Sequence, residues 1–284
     1  MITVIASIIY YSPRIIHCIN AQQGCCVYFI NVGKADCALI ELKDGKRILV
    51  DAGELFIPGT QINFYENYLK PWLKKRGIKS FDIVVATHPH SDHIGGITGI
   101  IEEFPVKTIV DHGYKHPSFL YEKFLKIIRK KRLYVLHPSA GDELRIGNKT
   151  RLLFLSPYKG METGDLNEDS LVLKFIYGRV SFLFMADAGI PAENFLLHSM
   201  KKYLKSDILK VGHHGSKYSS SPQFLEEASP QYAVIQSGQD NKFGHPHLIT
   251  LKNLRRRGIV ILRNDQLGDI KCLSDQSVLS CFGL

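Results

Sequence analysis

Cysteine is missing from the one stretch of this chain where metal-binding side chains crowd together. Phe81 to Gly96 reads FDIVVATHPHSDHIGG, with His88, His90, Asp92 and His93 inside six residues. The lack of a thiol there argues against a structural thiolate site, whereas imidazole and carboxylate donors suit zinc, or manganese if more oxygens join. Long apolar runs are missing as well. Met1 to Tyr11 is mildly hydrophobic, but Ser12-Pro13-Arg14 breaks it before a second apolar piece ends near Ala21, so it is too short and too broken for a membrane span. No Lys or Arg precedes that region, and Cys18 follows His17, the wrong context for a lipid anchor. Residues 1–21 are read as a leader that would export the protein, with Ala21 a poor cleavage candidate and a cytoplasmic chain as the alternative. No repeat, low-complexity tract or linker divides the remainder, and residues 25–284 are expected to form a single domain.

Cysteine elsewhere gives little direction. Cys25, Cys26 and Cys37 fall in predicted strands and read as small buried apolar residues, while Cys272 and Cys281 flank a turn at Ser274-Asp275-Gln276-Ser277 and would permit a disulfide after export. Positive charge is in excess: 36 Lys and Arg against 27 Asp and Glu give a net charge of +9 and a pI near 9.1. Such a surplus favours an anionic partner, whether nucleic acid, a phosphorylated polymer or the cell envelope. Part of it belongs to predicted helix faces, as at Lys123, Lys126, Arg129, Lys130, Lys131 and Arg132, where solvation is explanation enough.

Hydrophobic alternation predicts strands over 26–31, 37–42 and 47–51 as an antiparallel meander, then a helix over 65–76 that feeds the strand ending at Thr87. Further β/α alternation runs to Leu136. A second half begins with strands near 144–146, 151–155, 170–177 and 180–186, and repeats the plan. Its apolar strands stop at Asp187 and at His213-His214, and a later loop ends in His245-Pro246-His247. Gly95-Gly96 is expected to let the backbone turn tightly into the helix that follows. Asp51 and Asp36 stand at strand ends, where each is able to orient the histidine loop or to satisfy turn amides; the turn role is favoured for Asp36.

The segments FINVGKADCALI, ILVDAG, THPHSDHIGG, NEDSLVL, FMADAG, ILKVGHHGSKYSSS and FGHPH, in that order, resemble the soluble metallo-β-lactamase-like domain of DNA-uptake competence proteins of the ComEC type. That resemblance covers the chain from about Val27 onward. It implies an α/β fold, a four-layer αββα sandwich with mixed sheets, and a binuclear site holding two divalent metal ions, zinc favoured and manganese the alternative. By the same resemblance His88 and His90 bind one ion, Asp92 and His93 the other, Asp187 bridges them and His213 completes a shell. His214 then faces substrate, and His245 and His247 donate a proton or grip an oxyanion, with Asp92 also at the reacting centre. For Asp187 the competing role is a helix N-cap; for His245 and His247 it is a plain loop. Ser216, Lys217 and Ser219 offer hydroxyls and a cation to a phosphate, or simply a flexible polar loop. The chain departs from the family at two places: Asn167-Glu168-Asp169-Ser170 stands where many members carry a further histidine, and Gly33-Lys34-Ala35-Asp36 replaces Gly-Gln-Gly-Asp. It also carries no multi-helix membrane channel, and so is not itself expected to form an uptake pore. The function expected is a phosphodiesterase or nuclease using a metal-bound hydroxide. An envelope phosphate esterase or small-molecule esterase, and a non-catalytic nucleic-acid-binding protein, are the alternatives.

Overall fold

A computed structural model describes residues 24–57, 59–114, 116–239 and 241–284. The segment read as a leader, residues 1–21 with Cys18, therefore lies outside the described residues. Strands β1 (Cys25–Phe29), β2 (Ala38–Leu42) and β3 (Arg47–Val50) form the antiparallel meander. A π-helical turn at Tyr65–Leu69 continues into α1 (Lys70–Lys75), so Pro71 follows a widened turn inside one continuous helical run instead of opening a helix. β4 (Phe81–Ala86) then pairs parallel to β3. Short helices α2 (Ser91–Ile94) and α3 (Ile97–Glu103), strand β5 (Val106–Asp111), α4 (Phe119–Lys131) and β6 (Tyr134–Leu136) complete the half, each new strand again parallel. The Ser118 hydroxyl caps α4 by accepting the Tyr121 N–H at 3.2 Å, while Leu120, Phe124, Ile127 and Ile128 are buried and the basic residues lie on the outer face.

The second half repeats this order. β7 (Glu143–Gly147), β8 (Thr150–Ser156), β9 (Val172–Tyr177) and β10 (Val180–Phe184) are antiparallel, and β11 (Ile208–Lys210), β12 (Tyr232–Ile235) and β13 (Val260–Arg263) follow in parallel. Helices α5 (Ile190–Ser199), α6 (Pro222–Ala228) and α7 (Leu248–Arg256) connect them. The chain ends back on the first sheet: α8 (Asn264–Leu267) returns it, and β14 (Ile270–Ser274) and β15 (Leu279–Gly283) extend that sheet beside β1. Asn264 fixes that crossing by donating to Phe29 O and Gly268 O at 3.0 and 2.6 Å. In this hairpin Cys272 and Cys281 are direct cross-strand partners joined as a disulfide.

Alternation within the strands builds the layers. Ile83 and Val85 of β4 face the second sheet, and Val84 and Ala86 face the helices. Between the sheets lie Phe29, Phe154, Phe175 and Phe182, each contributing roughly 1.5–3 kcal/mol by burial. α5, α6 and α7 cover the other face of the second sheet through residues such as Leu196, Leu225 and Leu254. The result is the αββα sandwich, with an eight-stranded and a seven-stranded mixed sheet.

Gly95 and Gly96 serve a different purpose from the one their sequence suggests. Both have ordinary right-handed helical backbone, so no special turn requires them. A Cβ on Gly95 would lie 2.1 Å from Leu55 N, and one on Gly96 2.3 Å from Ala52 O. They allow the histidine loop to lie directly against the backbone that follows β3.

Candidate metal centre

Parallel strands of both sheets end at the same edge, and the polar segments after them meet there. The turns that deliver these side chains are strained: Asp51, Ala186, His213 and His214 have φ of 57°, 47°, 50° and 52°. Left-handed backbone costs a non-glycine residue of order 1–3 kcal/mol, and such residues gather where geometry matters more than stability.

Asp92, His93, Asp187 and His214 each offer a donor atom, all within 4.8 Å of one another. His93 Nε2 and His214 Nε2 lie 3.3 and 3.4 Å from Asp187 Oδ1, and His214 Nε2 lies 3.4 Å from Asp92 Oδ2. Yet His93 Nε2, His214 Nε2 and Asp187 Oδ1 make no hydrogen bond although they are buried. Orphaned polar atoms of this kind are costly unless something else satisfies them. A divalent cation fits, since two imidazole nitrogens and two carboxylates converge on one point. His88 and His90 lie against this group, with His88 Nε2 3.1 Å from His90 Nδ1 and the His88 ring centre 4.0 Å from that of His93. They could hold a second ion. Asn167 lies beside His90 with its Oδ1 buried and unpartnered, at the place where the sequence lacks a further histidine.

The opposite nitrogens of the imidazoles are anchored. Asp51 Oδ2 holds His93 Nδ1 at 2.8 Å and accepts the Thr87 hydroxyl at 2.8 Å, while its Oδ1 accepts Thr87 N–H at 2.9 Å. His214 Nδ1 lies 3.0 Å from Gln236 O and 3.2 Å from Asp36 Oδ1. Lys210 Nζ pairs with Asp36 in the interior, on the same strand face as Ile208. Asp36 is thus part of the centre and not merely a turn residue. Although Asp36, Asp51 and His93 also approach one another, Asp51 is engaged by Thr87 and His93 and Asp36 Oδ2 by Lys210, which marks them as supports.

Electrostatics follow from this arrangement. Burial keeps His88 and His90 neutral by lowering their pKa. Burial would do the same to His214, but Asp187 and Asp36 overturn it and push it up to about 10. His93 is likewise raised, against the pull of burial, by Asp187 and Asp51. Burial opposes the charge on Asp187, yet His214 and His93 hold it well below the carboxylate range.

The paired histidines differ from their expected order. His214 is fully buried within the donor cluster, whereas His213 stands at its rim, with Nε2 3.8 Å from Asp187 Oδ2 and its backbone N–H donated to Ala186 O. The left-handed turn rotates the second histidine inward, which a count from the strand end does not reveal. His245 has its ring centre 5.6 Å from that of His213, and burial together with His214 lowers it to about 3. His247 is more peripheral, its Nδ1 accepting from Lys217 N at 3.1 Å. The serine loop is turned inward: Ser219 donates to Gly212 O at 2.8 Å, Ser216 Oγ accepts Tyr218 N–H at 3.3 Å, and both are buried. Their hydroxyls shape the His213–Gly215 turn; Lys217 alone of the three is exposed.

Three further residues escape a reading of the sequence. Lys210 looks like the solvated end of a strand, Gln236 like an ordinary polar strand end, and His112, buried after β5 with Nδ1 3.1 Å from Asp111 Oδ1, like an isolated loop histidine. A lysine in phase with the apolar face of β11 is the one signal that was available.

Comparison with known proteins agrees with this architecture. The sequence model of the Metallo-beta-lactamase superfamily matches residues 30–238. ComE operon protein 3 of Bacillus subtilis is 30% identical over 256 residues, 86% of this chain and 32% of that protein. Recombination protein 2 of Haemophilus influenzae is 29% identical over 227 residues, 80% of this chain and 26% of that one. The chain thus spans about a third or less of the curated relatives it matches. Among solved structures, CmlA, a diiron β-hydroxylase from Streptomyces venezuelae, superposes with a TM-score of 0.58 at 15% identity, covering 92% of this chain and 54% of its own, a likeness of fold alone. Family match, sandwich and donor cluster together place the chain in the metallo-β-lactamase superfamily, with a candidate metal site.

Proposed function

We propose that this protein is a phosphodiesterase acting on nucleic-acid backbones, with His88, His90, Asp92, His93, Asp187 and His214 holding two divalent cations, zinc in preference to manganese. Bound there, such ions supply Lewis acidity and a water acidified toward neutral pH. The observation that carries the reading is the set of buried, unpartnered donor atoms held from behind by Asp51 and Asp36. Those supports fix the imidazole planes, so that Nε2 of His93 and of His214 faces the centre before substrate arrives. Lys34 Nζ, 3.0 Å from Asp92 Oδ2, brings a cation to the mouth of the site, where it can bind a non-bridging phosphate oxygen. His245, neutral and beside His213, can donate a hydrogen bond to the same group. A net charge of +9 and a relative named a recombination protein support a nucleic acid over a lactone or amide.

Hydrolysis of bis-p-nitrophenyl phosphate and of labelled DNA and RNA, with zinc, manganese or magnesium added after chelation, tests the reading. Turnover should require added metal and disappear in a His90→Ala/Asp92→Ala double variant. Salt-sensitive DNA binding that survives both substitutions, with no cleavage under any metal, would leave a binding protein instead.

A further inference from the structure

We propose that the groove beside His90 and Asp92 is a subsite for single-stranded nucleic acid, in which Phe243 stacks on an unpaired base while Lys34 holds the adjoining phosphate. The inference rests on the phosphodiesterase reading and extends it to the form of the substrate. The groove has a volume of about 1000 Å³, and its walls carry Lys34, Lys242, Phe56 and Phe243. That is the upper end of the range for small-ligand pockets, roughly 300–1,000 Å³. Phe243 is 48% exposed and Phe56 40%. One side of the Phe243 ring rests on His245, with ring centres 5.9 Å apart and planes 26° from parallel, and the ring is still half exposed in the groove at the mouth of the metal centre.

Lys34 ties the two parts together. Its Nζ lies 3.0 Å from Asp92 Oδ2 and 4.3 Å from the centre of the Phe243 ring, so one cation spans the donor cluster and the aromatic wall. Lys242 Nζ lies 5.1 Å from the same ring centre. Two acids also line the groove: Asp92, which belongs to the donor cluster and pairs with Lys34, and Glu54, which lies against Ser91 two residues before Phe56. The loop that presents Phe243 is pinned. Asn241 donates to Gly238 O and His245 O at 2.9 and 2.6 Å and accepts His245 N–H at 2.9 Å. Gly238 lies so close to the Lys34 backbone that a Cβ there would be 2.8 Å from Lys34 N, which fixes one loop against the other. A site already in its bound shape loses little ordering entropy on binding.

Strand form follows from the ring. A base in a duplex has both faces covered by its neighbours, whereas an unpaired base offers a π-face to an aromatic side chain, whatever its identity. A phosphate polymer without bases would engage Lys34 and Lys242 but would gain nothing from Phe243. The groove therefore favours single strands and discriminates weakly among sequences.

Fluorescence anisotropy with the chelated protein, which cannot cleave, separates these contributions. The probes are a labelled oligothymidine, an abasic phosphodiester strand of equal length and charge, and a duplex of that length. The oligothymidine should bind roughly ten-fold more tightly than the abasic strand, as expected for one stacked base. Phe243→Ala should erase that ratio while leaving abasic binding as it was, and Lys34→Gln should weaken both strands alike and reduce the salt slope by about one phosphate. Equal affinity for the thymidine and abasic strands, tighter binding of the duplex, or a ratio indifferent to Phe243→Ala would overturn the proposal. Metal-dependent turnover of bis-p-nitrophenyl phosphate by the wild type is read separately, so loss of the parent hydrolase reading is not mistaken for loss of the subsite.

Discussion

Asp51 carries more of the centre than a carboxylate at a strand end advertises. Buried, it takes three bonds: the Thr87 amide, the Thr87 hydroxyl and His93 Nδ1. Asp51→Asn keeps the size but places an amide N–H2 where two donors already point, leaving His93 free to rotate. Supports of this kind are worth about 10–100-fold in metal affinity. A competition titration with a chromophoric chelator should show a loss of that size, with the fold retained by circular dichroism; unchanged affinity would demote Asp51 to a turn residue. The clustering of His88, His90, Asp92 and His93 was legible in the sequence because they fall within six residues after an apolar strand. The Lys210–Asp36 pair was not, because its members are 174 residues apart and only the meeting of two sheets joins them. The inward turn of His214 was equally hidden, since it depends on a left-handed backbone at two successive histidines.

At the scale of elements, α2 and α3 hold the histidine loop against the segment after β3 by backbone contact. Gly96→Ala would force a methyl to 2.3 Å from Ala52 O, and backbone there cannot yield as a long side chain would. Overpacking of this sort costs about 1–3 kcal/mol. Urea unfolding should register that loss, together with weaker metal binding as the loop shifts away from Asp51. On the other half of the molecule, Glu193 of α5 is buried and accepts the N–H groups of Ser220 and, at 2.9 Å, Ser221. Burial, aided by Glu168, pushes its pKa up to about 7. A carboxyl raised in the folded state binds its proton more tightly there than in the unfolded chain, so its contribution is full below about pH 4.5. That contribution is lost as pH rises toward 7, a fall of about 3 kcal/mol. Glu193→Gln should flatten this part of the stability profile relative to wild type, and parallel profiles would refute the assignment. α6, which Glu193 and the Ser221 cap help to start, was absent from the sequence reading because its seven residues, with Phe224, Leu225 and Ala228 buried, are too few to show a period.

For the whole molecule, the donor set matters because it is shared. Asp92 and His93 follow β4 of the first sheet, and Asp187 and His214 follow β10 and β11 of the second. The two halves were legible as repeats of one plan, but the return of β14 and β15 to the first sheet was not, since strand order along the chain carries no record of which edge a late strand joins. Sheets joined through the apolar core and again through the centre should unfold together, so a cation that binds only the folded state stabilises the entire domain. At a free concentration 100 times the Kd the gain is about 2.7 kcal/mol. Zinc titrated into chelated protein should therefore raise the global unfolding midpoint, with both sheets melting in one transition by circular dichroism. In Asp187→Asn the donor that faces both His93 and His214 is weakened, and the zinc-dependent rise should shrink or vanish while the zinc-free protein still unfolds cooperatively. A midpoint unmoved by zinc in the wild type would mean that these buried donors hold only one another, and the centre would then have to be read as an internal charge network.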